Sequence, residues 1–214
     1  MRLRYVKGSK ELIASHEGIV HDPEKYRGKW RELFGNENPV HLEIGMGKGQ
    51  FLSTLAKQNP NINYIGIEKY EAVMLRALEK KTADDIRNLA LLCEYASDLA
   101  EYFSEGEVDM IYLNFSDPWP KDRHAKRRLT SDGFLNTYRQ ILKKNGILQF
   151  KTDNLPLFTY SLERLEACGW VTDAKSFDLH NSEFSEGNVF TEYEERFFAE
   201  GKKINFLKAH YPCK

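Results

Sequence analysis

The sequence is poor in cysteine and in long apolar runs. Its three cysteines, Cys93, Cys168 and Cys213, are odd in number and far apart, which argues against a disulfide framework and against a zinc site. No stretch approaches the roughly 20 apolar residues of a membrane span, and the first residues contain no apolar signal core. We therefore expect a cytoplasmic protein that uses no metal and has no membrane partner.

The sequence also has little net charge. A formal charge of -1 over 214 residues excludes a protein that binds nucleic acid through a uniformly basic surface. The basic residues are clustered, however: the first ten residues contain four and no acid, and residues 121–128 contain five against one acid, Asp122. A local basic patch is sufficient for nucleic-acid binding, although most charge runs are only solvated surface.

Hydrophobic periodicity predicts an α/β fold. Residues 1–38 are polar and broken by glycine and proline, and we interpret them as a basic N-terminal arm with a short helix near residues 27–34. Residues 39–214 alternate strand and helix, which predicts a Rossmann-like, doubly wound, mostly parallel sheet. We expect seven strands, the last two forming a terminal antiparallel hairpin, at 40–44, 64–68, 89–94, 108–115, 147–152, 170–177 and 190–199. We expect helices at 50–58, 71–81, 98–103, 132–144 and from Pro156.

A glycine loop follows the first predicted strand. Gly45, Gly47 and Gly49 come directly after Glu43, but Gln50 breaks the dinucleotide fingerprint, and the phosphate-binding loop pattern is absent. A carboxylate beside the loop would repel a pyrophosphate and would suit a cationic ligand such as S-adenosylmethionine. The alternative is a plain turn between strand and helix.

A second acid supports a nucleoside ligand. Glu68 closes the second predicted strand, 25 residues after Glu43, where a carboxylate can accept hydrogen bonds from ribose hydroxyls. The alternative is a surface charge paired with Lys69 or Lys48.

The most informative segment lies at the end of the fourth predicted strand. Asp117 is followed by Pro118, Trp119 and Pro120, and the prolines restrict the backbone on either side of the tryptophan. Ligands bind outside the carboxyl ends of strands in open α/β sheets. The segment therefore joins a candidate reaction site to the basic segment that comes next.

These residues carry a family resemblance. From about Arg4 to Phe198, the chain resembles the bacterial tRNA (guanine-N7-)-methyltransferases, which have the class I S-adenosylmethionine-dependent methyltransferase fold. The resemblance rests on the motifs Glu43-Ile-Gly-Met-Gly-Lys-Gly49, Gly66-Ile-Glu68, Asn114-Phe-Ser-Asp-Pro-Trp-Pro-Lys121, Arg123-His-Ala-Lys-Arg-Arg128, Phe150-Lys-Thr-Asp-Asn154 and Thr191-Glu-Tyr-Glu194.

The resemblance implies methyl transfer from S-adenosylmethionine to N7 of a guanine in tRNA, at position 46 of the variable loop, with S-adenosylhomocysteine as product. It implies a methyl-donor site made of Glu43, Gly45, Gly47, Gly49, Glu68, Tyr95, Ala96 and Asp117, with Asp117 also catalytic. It implies substrate contacts from Lys121, Asp153, Thr191, Glu192, Tyr193 and Glu194, and RNA contacts from Arg123, His124, Lys126, Arg127 and Arg128.

One position departs from the family pattern. Tyr95 stands where the family often has an acid that meets the adenine, so either the Tyr95 side chain or backbone groups of Tyr95 or Ala96 would hold the adenine instead. Three other roles have structural alternatives. Asp153 could cap a helix, Trp119 could pack against the sheet rather than stack on a base, and residues 191–194 could begin a helix.

Three other functions are alternatives to the one that the resemblance implies. A non-enzymatic RNA-binding protein would keep the basic segment without needing the glycine loop and both acids together. An NAD-dependent oxidoreductase conflicts with Glu43 and the missing third fingerprint glycine. A DNA adenine methyltransferase conflicts with Trp119 directly after Pro118. The partner implied is tRNA, with no obligatory protein partner, and the protein could be a monomer or a homodimer.

Overall fold

The computed structural model describes residues 6–212. Arg4 and Cys213, named above, lie outside the described residues. The seven strands are β1 Val40–Ile44, β2 Asn63–Ile67, β3 Leu89–Leu92, β4 Val108–Asn114, β5 Leu142–Thr152, β6 Val171–Ser176 and β7 Asn205–His210. The helices are α1 Ser9–Ser15, α2 Trp30–Phe34, α3 Gln50–Gln58, α4 Glu71–Ala83, α5 Leu99–Tyr102, α6 Asp132–Ile141, α7 Leu155–Ala167 and α8 Glu192–Ala199.

The strands form one mixed sheet in the order β3-β2-β1-β4-β5-β7-β6. Strands β1 to β5 pair in parallel, whereas β7 runs antiparallel to both of its neighbours. The predicted fold class is therefore confirmed. The strand order reverses between β1 and β4, and such a switch point opens a crevice outside the carboxyl ends of the strands.

Helices cover both faces of the sheet. Successive residues of one strand, such as Leu91 and Leu92, belong to two different buried clusters, because side chains alternate between faces along a strand. One cluster receives α1, α3 and α4, and the other receives α5, α6 and α7. This layering fixes the sheet and leaves its carboxyl edge for the site.

The described part of the N-terminal arm packs on the sheet domain. Trp30 is fully buried, and its indole N–H donates to the carbonyl of Tyr102 at 2.9 Å. Ile13 and Ile19 join the α3–α4 cluster. Helix α2 matches the predicted short helix, whereas α1 was not predicted. The boundary at residue 38 stays a prediction.

The segment 190–199 was wrongly predicted as a strand. It forms α8, with Thr191 as its N-cap, because the threonine hydroxyl accepts a hydrogen bond from the Glu194 N–H at 3.0 Å. Its aromatic residues favour strands intrinsically, yet Tyr193 and Phe197 are four residues apart and share a helix face. The seventh strand is β7, which the sequence analysis did not identify.

The end of α6 was also wrongly placed. The helix stops at Ile141, and the residues expected to form its basic last turn, Lys143 and Lys144, already belong to β5. Asn145 takes a left-handed conformation with φ of 63°, and the β4–β5 register jumps there. The Asn-Gly pair thus forms a bulge, a structure that favours the same residues as a helix C-terminus.

Residues 6–212 contain neither a candidate membrane span nor a candidate metal site. No helix among them is long and apolar enough to cross a membrane, and no three of their histidine, cysteine or acidic side chains group as a metal site would require.

Candidate active site

The glycine loop between β1 and α3 is open on one side. Gly45 and Gly47 have φ values of 75° and 60°, a region that side chains disfavour. A Cβ atom at either position would meet nothing within 4 Å. The loop is fastened to β2, because the N–H groups of Gly45 and Met46 both donate to the carbonyl of Ile67. Gly45 and Gly47 therefore border free space at the carboxyl edge of the sheet.

Gly49 has a different role. A Cβ atom there would lie 2.9 Å from the Cβ of Ala77 on α4, and its φ is 76°. The third glycine of the loop is thus required for packing of α3 against α4, and its predicted place in the methyl-donor site stays a prediction.

Glu43 is a buried carboxylate with one partner. Its side chain is 1% exposed at the end of β1, and Oε1 accepts a hydrogen bond from Asn114 Nδ2 at 2.8 Å. The other carboxylate oxygen, Oε2, and the Asn114 amide oxygen are both buried without a hydrogen-bond partner among the described residues. Burial raises the pKa of Glu43 to about 7, although the hydrogen bond from Asn114 and the charge of Lys151 both act to lower it.

Glu68 is buried at the end of β2 and holds the glycine loop. Its two carboxylate oxygens accept hydrogen bonds from the N–H groups of Gly47 at 3.3 Å and Tyr70 at 3.1 Å. Burial raises its pKa, while these backbone donors act in the opposite direction. Lys48, one of the partners considered for it, pairs instead with Glu192.

Tyr95 and Ala96 lie just beyond β3, at the start of the 3₁₀ turn Ala96–Asp98. The Tyr95 side chain is 62% exposed. The fold therefore brings both residues to the same sheet edge as Glu68, and their contact with an adenine stays a prediction.

Asp117 is exposed in a loop with an unusual backbone. Phe115 and Trp119, two residues to either side, have φ values of 51° and 41°, which bulky residues adopt only under constraint. The Phe115 N–H donates to the carbonyl of Lys151 on β5 at 2.8 Å. The loop that carries Asp117 is thus anchored where it leaves the sheet.

Arg128 braces the other end of this loop. Its guanidinium donates to the carbonyls of Pro118 and Trp119 and lies over the ring of Tyr160 at 4.3 Å. Arg128 was predicted to bind RNA, and these contacts give it a structural task as well.

The basic segment forms the 3₁₀ helix Asp122–Arg127. Lys121, Arg123, Lys126 and Arg127 are exposed, and none of them pairs with a carboxylate in the described part of the chain. Arg127 lies over the half-buried ring of Trp119 at 4.9 Å, and His124 meets the same ring edge-on. The segment thus presents unpaired cations beside Asp117.

Asp153 is exposed at the end of β5. The cap of α7 is the neighbouring Asn154, whose side chain accepts a hydrogen bond from the Leu157 N–H at 2.8 Å. The capping alternative for Asp153 is therefore excluded, and its carboxylate has no hydrogen-bond or ion-pair partner among residues 6–212.

The four residues at the start of α8 have separate environments. Thr191 caps the helix, and Glu194 is fully buried against Lys151 at 2.6 Å. Glu192 pairs with Lys80 at 2.6 Å. Tyr193 is 43% exposed, with its ring 6.4 Å from that of Phe115 and inclined to it by 20°. Tyr193 is the most exposed of the four, and the substrate contacts predicted for all four stay predictions.

Three residues of the site were not identified from the sequence as functional. Asn114 and Phe115 were part of the quoted motif without an assigned role. Lys151 was likewise inside a quoted motif, and it is the one charged residue of the predicted strand 147–152, which was a signal that the sequence analysis did not use.

The fold and the site together define a class. An antibiotic-related methyltransferase superimposes with a TM-score of 0.65 over 96% of this chain and 98% of its own, at 20% identity. A 16S rRNA methyltransferase gives a TM-score of 0.66 over 86% and 94% of the two chains, at 15% identity. The protein thus has the fold of class I methyltransferases.

Sequence comparison gives the family. Residues 37–207 match a family described as putative methyltransferase. Proteins named tRNA (guanine-N(7)-)-methyltransferase are 58% identical in Lachnoclostridium phytofermentans, over 98% of both chains, and 50% identical in Enterococcus faecalis, over the whole of both chains. The chain belongs to the bacterial tRNA (guanine-N7-)-methyltransferase family.

The burial of Glu43 predicts a pH-dependent cost of folding. Its pKa of about 7 exceeds the ordinary 4.5, so between these values the folded state keeps a proton that the unfolded state has lost. The free energy of unfolding of the wild type, relative to Glu43→Gln, should therefore fall by about 3 kcal/mol as the pH rises from 4.5 to 7. Urea unfolding of both proteins across this range measures the difference.

The control is Glu79→Gln on the exposed surface of α4, where the side chain is 51% exposed and the corresponding difference should stay nearly flat. A difference between wild type and Glu43→Gln that does not change with pH would contradict the account of Glu43.

Proposed function

We propose that this protein transfers a methyl group from S-adenosylmethionine to N7 of a guanine in tRNA. The observation that carries the proposal is the match, over essentially the full length of both chains, to relatives named for that reaction. The finer assignment, to the guanine at position 46 in the variable loop, rests on the family resemblance.

The acidic strand ends fit the methyl donor. The unpartnered oxygens of Glu43 and Asn114 are two buried acceptors, and an ammonium group supplies the donors they lack. Glu68 would accept from the ribose, and the open space beside Gly45 and Gly47 leaves room for the ligand backbone. When bound, S-adenosylmethionine supplies a methyl group activated by its sulfonium. Glu43 and Glu68 would thus place two carboxyl groups toward a cationic ligand.

The target atom requires no general base. Guanine N7 has a lone pair and no proton, so the chain's main contribution is to position the base, which can supply roughly 7–11 kcal/mol. Asp117 would orient the guanine and stabilise the positive charge that the purine acquires. Asp153, which does not serve as a helix cap, would accept hydrogen bonds from the N1–H and N2 edge.

The exposed cations would hold the RNA. Lys121, Arg123, Lys126 and Arg127 are free to contact phosphates, which positions the tRNA without reading its sequence. Such binding weakens steeply with salt. The guanine itself lies in folded RNA and must be exposed or swung out to reach Asp117.

The direct test is incubation with labelled S-adenosylmethionine and unmodified tRNA. We expect one methyl group per accepted tRNA, and cleavage at the alkali-sensitive 7-methylguanine should place it at position 46. Label at another atom or another nucleotide would refute the corresponding part of the proposal, and a complete lack of transfer by the folded protein would refute all of it.

The role of Asp117 is tested by Asp117→Asn. Loss of the negative charge should lower kcat by roughly 100-fold, the low end of what one charge-stabilising group contributes, with a smaller change in donor affinity. The matched control is Asp173→Asn on the exposed edge strand β6, where turnover should be unchanged. Near-normal turnover of Asp117→Asn would rule out the role assigned to it.

A further inference from the structure

Lys151 is a fully buried lysine at the carboxyl end of β5. Its ammonium donates to Glu194 Oε2 at 2.6 Å, to the Val189 carbonyl at 2.9 Å and to Asn188 Oδ1 at 3.1 Å. These three acceptors match the three N–H bonds of an ammonium group. All three lie in the segment 188–194, which leads into α8.

Glu194 connects the Lys151 ammonium to other residues near the segment 188–194. The second carboxylate oxygen, Oε1, is 2.8 Å from His180 Nε2 and accepts from Asn188 Nδ2 at 2.7 Å. The His180 ring is stacked on Phe190, with ring centroids 4.9 Å apart, and meets Phe198 edge-on. The charges of Lys151 and Glu194 thus fix one conformation of the chain from 188 to 194.

The other contacts of Lys151 reach the methyl-donor side. Its ammonium lies 4.9 Å from the ring centroid of Phe51, in the helix that follows the glycine loop. In the sheet, Lys151 lies opposite Asn114 of β4, which is the hydrogen-bond partner of Glu43. The backbone carbonyl of Lys151 accepts a hydrogen bond from the Phe115 N–H. Lys151 is therefore the residue at which the floor of the donor site, the Asp117 loop and α8 meet.

Stability alone does not explain such a residue. Lysine is almost never fully buried unless paired, and a buried ion pair often stabilises a fold no better than apolar side chains of the same size. What a buried, fully hydrogen-bonded pair does provide here is a single geometry, since every partner is used.

We propose that Lys151 is a positioning residue that holds the segment 188–194 against the donor site, so that the target base is received between Tyr193 and the Asp117 loop. This inference rests on the proposed function. Lys151 touches neither substrate in this arrangement; it acts through Glu194 and Asn188 on the wall that faces the base.

The test is Lys151→Met, with methyl transfer to tRNA and donor binding measured separately. We expect the KM for tRNA to rise at least tenfold, while the dissociation constant for S-adenosylmethionine changes less than threefold. A purely structural role would lower the melting temperature and reduce both properties with the folded fraction. The matched control is Glu200→Gln, which removes the two exposed ion pairs of Glu200, with Arg196 and Lys202, just beyond α8 and should change neither.

Lys151→Met leaves the Glu194 charge buried without its lysine and could therefore fail to fold. A second variant keeps the inference testable in that case. Asn188→Ala removes one partner from each of Lys151 and Glu194 but keeps their ion pair. Its KM for tRNA should rise at least threefold, and amide exchange of residues 188–194 should accelerate while that of β1 and β4 does not.

Three results would overturn the inference: an unchanged KM for tRNA in the folded variants, an equal loss of donor affinity, or unchanged exchange of residues 188–194 in Asn188→Ala. Failure of the proposed function has a different signature. The wild type would then transfer no methyl group to tRNA, and the exchange measurement would still decide whether Lys151 and Asn188 hold the segment.

Discussion

A buried carboxylate with one unsatisfied oxygen is the feature on which the rest of the site depends. Glu43 lies in the sheet floor with Asn114 as its hydrogen-bond partner, and water cannot compensate its charge there as it would at the surface. The carboxylate is therefore costly in the free protein, and under the proposed function the cationic methyl donor would offset that cost. The same desolvation that raises its pKa would then favour a positively charged ligand over a phosphate.

Contacts between neighbouring strands connect Glu43 to the other charged side chains of the site. Glu43 on β1 is linked to Asn114 on β4, and Asn114 is in register with Lys151 on β5. Lys151 in turn binds Glu194 at the start of α8. The ends of the adjacent strands β1, β4 and β5 thus carry a carboxyl group (Glu43), an amide (Asn114) and an ammonium group (Lys151). Under the two proposals, a ligand that neutralises Glu43 would lie next to Lys151, which holds the segment 188–194.

The exposed Asp117 depends on backbone constraint rather than on side-chain partners. Positive φ values at Phe115 and Trp119 cost of order 1–3 kcal/mol each, and they persist because one end of the loop is bonded to β5 and the other to Arg128. The Asp117 carboxylate is exposed, and the constrained loop gives it a fixed position. Glu43 and Asp117 thus lie in opposite environments: Glu43 is buried in the sheet, and Asp117 is exposed in a constrained loop.

Local signals explain what could be predicted. Strand β1 and helix α3 were predicted to the residue because a glycine loop separates an apolar run from a helical pattern, and Glu43, Glu68 and Asp117 followed as strand-end acids. The error at 190–199 arose because aromatic residues favour a strand locally, whereas capping by Thr191 and the Lys151–Glu194 pair, 43 residues apart in sequence, decide for a helix. Such pairs, like the burial of Glu43, are consequences of the fold.

The most direct measurement is the proton count that accompanies binding of S-adenosylmethionine. Calorimetric titrations at pH 6, in buffers of different ionisation enthalpy, should show release of close to one proton, because the Glu43 pKa of about 7 must fall when its carboxylate receives a cation. The release should vanish in Glu43→Gln. A binding heat that is independent of buffer, or proton release that persists in Glu43→Gln, would contradict the account.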